Sequence, residues 1–260
     1  MLKKLKAYFL IIFLSIIFSL YLYEIFLNIQ ISKNNDLDQK KKILLKKNNE
    51  VYDTRSQSEY YDYLKKKNKN RKVTVAYYPF YFLKDNLNVQ PLAGISNSLT
   101  VNCNENGYFN VYMSDRYGFN NPDNEWNSNE FEYLLVGDSF AHGACVNRPN
   151  DVASILRNLS DKKVLNLGYG SNGPLLEYIT LREYLRPGVK NIIWMYYEGN
   201  DQLDLNIELS NEKLKKYFTD ENYNQGLVER QNEIDQLIDN KISSLLNYRN
   251  ELKKKDNLKY

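Results

Sequence analysis

Histidine is almost missing: the 260 residues contain one, His142. Histidine-based metal centres are excluded by that count. The two cysteines, Cys103 and Cys145, are too far apart to supply the usual metal-ligand spacings. Glycine is sparse at 11, and the glycines of 168–173 lack the dinucleotide fingerprint and its following acid, so no phosphate loop is expected. Net charge is only +3, with lysines scattered among Asn and Glu rather than set on one face, which excludes a nucleic-acid surface. No metal, cofactor or nucleic-acid partner is therefore expected. Tyrosine, at 23, is abundant alongside Lys, Asn and Ile. That pattern reads as a bias toward A- and T-rich codons, not a binding code.

The N-terminus has the strongest physical signature. Lys3, Lys4 and Lys6 precede an apolar run of about 20 residues, long enough to cross a hydrocarbon core. No small-residue cleavage site follows, so residues 7–27 are expected to be a retained transmembrane signal anchor in contact with the lipid bilayer. The three lysines should stay cytoplasmic and leave the remainder on the extracytoplasmic side. A second basic cluster, Lys40–Lys42 with Lys46 and Lys47, opposes that orientation.

Residues 28–71 read as a polar tether with some helix over 56–67. In an oxidising compartment Cys103 and Cys145 can pair in only one way, adding about 4 kcal/mol at most; two buried thiols are the other reading. Residues 72–128 read as a small β-rich lead-in, with strands near 72–78, 99–103 and 108–113 and a turn at 104–107. It could wall a site, but a structural lead-in is the simpler role.

From Glu132 strands and helices alternate, so 129–260 is expected to be an α/β domain. Tyr133–Val136 is a short apolar strand broken by Gly137-Asp138, with Ser139 at the mouth of the next helix. Helix 151–159, strand 163–167, a glycine-rich loop 168–174, helix 175–185 and strand 191–197 follow, ending in Glu198-Gly-Asn-Asp201. Three strand ends carrying small or polar residues lie side by side in a parallel sheet, where open α/β sheets hold ligands. Asp138 and Ser139 as no more than a turn and N-cap is the bland alternative.

Acyl transfer needs a nucleophile, a base and donors aimed at the developing oxyanion. Gly137-Asp-Ser-Phe140, Asn166-Leu-Gly-Tyr-Gly-Ser-Asn-Gly173 and Gly199-Asn-Asp201 stand in the order of the first three blocks of the SGNH/GDSL hydrolase family, which this stretch resembles. The resemblance covers roughly 132–201 and implies a flavodoxin-like three-layer α/β fold with an incomplete parallel sheet. It implies Ser139 as nucleophile, with an oxyanion hole from the Ser139 N–H, a loop N–H at Gly170 or Ser171, and Asn200. The activity implied is that of a membrane-anchored serine esterase acting on an O-acyl group of a carbohydrate or lipid. The alternatives are a catalytically inactive truncated relative and an O-acetyltransferase.

The chain departs from the family pattern in three places. Ser171 stands where the family has a donor glycine, and Glu198 where the third block has its first glycine. The fourth block, an Asp-x-x-His, is absent: no histidine follows Asp201. Instead, 203–217 and 225–255 read as charged helices, with Leu227, Ile234, Ile238, Ile242 and Leu245 near one face, packing on the sheet or on a partner. The sheet is left with three strands and an unpaired apolar edge at 191–197, as in a truncated or split version of a longer protein. His142, three residues after Ser139, is the remaining candidate base, against a role on the helix surface or lining the cleft.

Overall fold

The computed structural model describes residues 2–34, 43, 46–47, 52–85 and 87–257. They fall into two compact units, residues up to 52 with 105–107, and 53–104 with 108 onward. In the first unit, α1 (Leu2–Asn34) is one continuous helix. Its 22-residue segment Tyr8–Ile29 holds an 18-residue window of mean hydropathy 2.3, none of it buried, so it is long and apolar enough to cross a membrane. Lys40–Lys42 and most of residues 35–51 lie outside the described residues.

The second unit begins with α2 (Gln57–Lys67), entered through a reciprocal cap. The Ser56 hydroxyl accepts the Glu59 N–H, and the Glu59 carboxylate accepts the Ser56 N–H at 2.8 Å. Tyr61 and Leu64 on this helix pack with Val73, Val101 and Phe109. The distal end of the expected tether is thus part of a folded core.

Strands β1 (Val73–Val75), β2 (Leu99–Val101) and β3 (Val111–Met113) form a sheet in that order. β2 and β3 are antiparallel, as the hairpin reading requires, while β1 and β2 are parallel. Each strand is only three residues long, shorter than the sequence pattern. After β1, Pro79 opens a 3-10 turn over Pro79–Phe82 that ends the ladder.

The second sheet is built from β4 (Phe131–Gly137), β5 (Val164–Asn166) and β6 (Val189–Met195). Its order is β5-β4-β6, all parallel, so the most apolar strand is central. Leu134, Leu135 and Val136 are wholly buried because β4 is covered on both faces. Leu135 meets Ala153 of α4 (Val152–Ser160), while Leu134 and Val136 join the main core. Between β4 and α4 lies α3 (Ser139–His142), a single turn stopped by Gly143 in the left-handed conformation. α5 (Pro174–Tyr184) links β5 to β6, and α6 (Asp201–Glu208), α7 (Glu212–Thr219) and α8 (Gln231–Asn257) follow.

The main core joins Phe82, Leu92, Ile95 and Phe119 of the lead-in to Leu134, Leu165 and Ile179 of the α/β part. Ile234, Ile238 and Ile242 of α8 close the same core, with Leu227 before them. Leu245 departs from the expected face: it is 52% exposed, and Leu246 packs inward in its place. Cys103 and Cys145 are disulfide-bonded, which decides between the two thiol readings and ties the lead-in to the segment after α3.

Candidate active site

The parallel register aligns Leu135 with Asn166 and Gly137 with Met195, so β4 and β6 end level while β5 ends opposite Leu135, its chain carried on by the Leu167 and Tyr169 N–H groups donating to the Leu135 and Gly137 carbonyls. Ser139 follows β4, the 168–173 loop follows β5, and Asn200 follows β6. The structure therefore brings the three predicted segments to one edge of the sheet. Ser139 is half-buried in the first turn of α3, and Asp138 caps that turn by accepting the Phe140 N–H at 2.9 Å. The nucleophile reading and the N-cap reading thus describe neighbouring residues. The Ser139 hydroxyl lies 3.4 Å from the other Asp138 oxygen. Burial holds the Asp138 carboxyl above its ordinary range. Phe140, largely exposed, packs its ring 5.0 Å from Tyr197 and so links α3 to the β6 loop.

His142 is neither on the helix surface nor in the cleft. It is fully buried, stacked on Tyr169 at 4.5 Å, with its Nε2 2.8 Å from the Tyr112 hydroxyl. Its Nδ1 accepts the Gly170 N–H at 3.3 Å. With Nδ1 accepting, the proton resides on Nε2, which donates to Tyr112. Burial pushes the imidazole down to about 3, so it is neutral at neutral pH. Both nitrogens are committed, and the candidate base is a structural residue.

The same bond corrects the role expected of Gly170: its N–H points at His142 and is not free to meet an oxyanion. Ser171 is half-buried in the left-handed region at φ 59°, and its N–H has no acceptor among the described residues. The loop's position is set by Asn166. Its amide donates to the Ala141 carbonyl at 2.6 Å and its carbonyl oxygen accepts the Gly168 N–H at 2.9 Å. A Cβ at Gly168 would lie 2.4 Å from Ala141 Cβ, so the loop reaches α3 only because that position is bare.

Asn200 donates from Nδ2 to Asp204 at 2.8 Å, and its buried Oδ1 has no partner. Beside it lies an acidic cluster that sequence reasoning missed. Asp201, fully buried, accepts the Tyr197 N–H at 2.6 Å. Glu177 accepts the Trp194 indole N–H at 2.5 Å, and its second oxygen is buried without a partner. Glu208 receives the N–H groups of Gly173, Leu175 and Leu176 at 2.6, 2.9 and 3.3 Å, filling the positive end of α5. Burial pushes Glu177 up to about 8, with the charges of Asp201, Asp138 and Glu208 adding to it. Burial also raises Glu208, to about 7, despite its three N–H donors. Among the described residues no Lys, Arg or His forms an ion pair with Asp138, Glu177, Asp201 or Glu208.

The sequence held a partial signal for these acids. Glu177 sits in the first turn of its helix, where an acid suits the macrodipole, and Asp201 was part of the third block. Glu208 and Trp194 had none, because their partners come from other elements. Chemically, the edge offers one accessible hydroxyl, one unused backbone N–H and one carboxamide, with acids but no imidazole beside them. No group of three or more His, Cys, Asp or Glu suited to a metal occurs among the described residues. No protein-family model, curated protein or solved structure matches the chain.

Proposed function

We propose that the second unit is an SGNH-type ester-processing module, tethered to a membrane by α1, with Ser139 as its nucleophile. The substrate class on this reading is an O-acylated carbohydrate or lipid, with the acyl group passed to water or to an acceptor hydroxyl. The observation that supports it is the parallel order of β4, β5 and β6, whose carboxyl ends lead into the segments that carry Ser139, Ser171 and Asn200. Ser171 N–H and the Asn200 amide are the oxyanion donors on this reading, and Gly170 is not. The Cys103–Cys145 disulfide supports an extracytoplasmic position, because such bonds persist in oxidising compartments.

One observation favours a second reading, a non-catalytic module. The sole imidazole is sealed in the core, and the acceptor beside the Ser139 hydroxyl is its neighbour Asp138, a weak base. The full chain in detergent, treated with a serine-reactive fluorophosphonate and assayed with p-nitrophenyl acetate, separates the two. Labelling that disappears in Ser139→Ala supports the nucleophile. A folded wild-type chain that takes up no label supports the non-catalytic reading.

A further inference from the structure

Among the described residues β6 is an edge strand, with β4 on one side and no strand on the other. Its free side presents a row of unpaired backbone donors and acceptors, a template for a further strand. Apolar side chains stand along it where an unpaired edge ordinarily carries charge: Ile192 is 46% exposed and Trp194 43%, and Tyr196 and Tyr197, 55% and 47% exposed, follow directly after the strand. The edge is also polar end to end. Lys190 is exposed at its amino end, paired with Glu132 at 3.3 Å. At its carboxyl end stands the exposed Glu198.

We infer that β6 pairs antiparallel with the β6 of a second copy of this chain, joining two three-stranded sheets into one of six. Charge complementarity selects this occupant. An antiparallel pair about a twofold axis lays the amino end of each strand against the carboxyl end of the other. With the axis passing through Trp194, the Lys190 of each copy lies opposite Glu198 of its partner. Each acidic end then gains a cation, twice over. The same register sets Trp194 against its own copy and Ile192 against Tyr196, the aromatic and β-branched combinations that stabilise sheets best. Anchoring by α1 favours it further, since chains confined to one bilayer meet at high effective concentration. The pairing is independent of the ester chemistry, and Ser139→Ala leaves it intact.

The test is the protein mass of the full chain in detergent, by light scattering corrected for the micelle. Two chains per particle are expected. Ile192→Lys, at a position with no side-chain hydrogen bond in the structure, should give one chain with an unchanged melting profile. That variant separates strand pairing from any association of α1. Lys190→Glu and Glu198→Lys should each weaken the dimer about tenfold, and the double variant should restore it. A single-chain wild type, a dimer that Ile192→Lys leaves unchanged, open-ended aggregates, or a complex that forms only with a different polypeptide would each overturn the inference. So would a charge-swapped pair that fails to recover.

Discussion

The Nδ1 atom of His142 accepts the backbone N–H of Gly170 across 3.3 Å, so the sole imidazole and an expected oxyanion donor neutralise each other's chemistry. His142→Ala should remove the Nε2 partner of the buried Tyr112 hydroxyl, leave the Gly170 N–H without an acceptor and open a cavity. The expected loss is about 3 kcal/mol in urea unfolding, larger than for a surface histidine. The pH dependence has a definite sign. The folded-state value, about 3, lies below the unfolded one, so the unfolded chain binds more protons as acid is added. Wild-type stability should be full above pH of about 6.5 and fall on acidification below it, and this component should vanish in the variant.

Glu177 works in the opposite direction. Its folded-state value, about 8, lies above the ordinary 4.5, so the folded chain holds a proton that the unfolded chain releases. That contribution is present below pH 4.5 and is lost as pH rises toward 8. Glu177→Gln keeps an acceptor for Trp194 and removes the charge. It should flatten the slope and gain on the order of 2 kcal/mol at pH 8. Chemical unfolding of both proteins at pH 5, 6.5 and 8 checks this, and a wild-type slope retained in the variant would assign the titration to another acid, Glu208 first.

Reduction should cost an amount comparable to the loss of His142 and be easy to measure. The disulfide closes a loop spanning 42 positions, and opening it should cost about 4 kcal/mol at most in the chain-entropy model. Melting curves of the dithiothreitol-treated chain and of Cys103→Ser/Cys145→Ser should agree with each other and lie below that of the untreated chain. A thiol titration of the untreated chain should find no free groups.

Gly168→Ala tests how closely the loop is seated on α3. The added methyl would meet Ala141 Cβ at 2.4 Å and the His142 nitrogen at 2.7 Å, both in a wholly buried place. A destabilisation of about 2 kcal/mol or more is expected, with any Ser139 labelling reduced more steeply than stability. Unchanged labelling in a destabilised variant would show that α3 moves freely of the loop.

The elements were readable because they rest on local rules. Asp151 caps α4 by accepting the Ser154 N–H at 3.0 Å, the acid-at-the-start signal that its sequence displayed. The apolar run at Tyr133–Val136 became the central strand, and among the described residues β6 pairs with β4 alone, as counting strands implied. What stayed hidden depends on distant partners. Helical spacing placed His142 beside Ser139, but α3 is one turn long, and Tyr112 and Tyr169 close over the ring from two other segments. The inward turn of Leu246 and the outward turn of Leu245 likewise reflect which side of α8 the core reaches, one position from the periodic guess.

The parallel pairing of β1 with β2 carries a consequence for how the polypeptide can be divided. Parallel neighbours cannot be joined by a tight hairpin, so residues 76–98 make a long crossover, and Phe82, Val89, Leu92 and Ile95 on it are interior residues shared with the α/β sheet. A scissors cut at the apparent boundary near residue 128 would strip each fragment of half its interior. The lead-in is thus an inseparable wall of the building, and neither fragment should mature into a folded body alone.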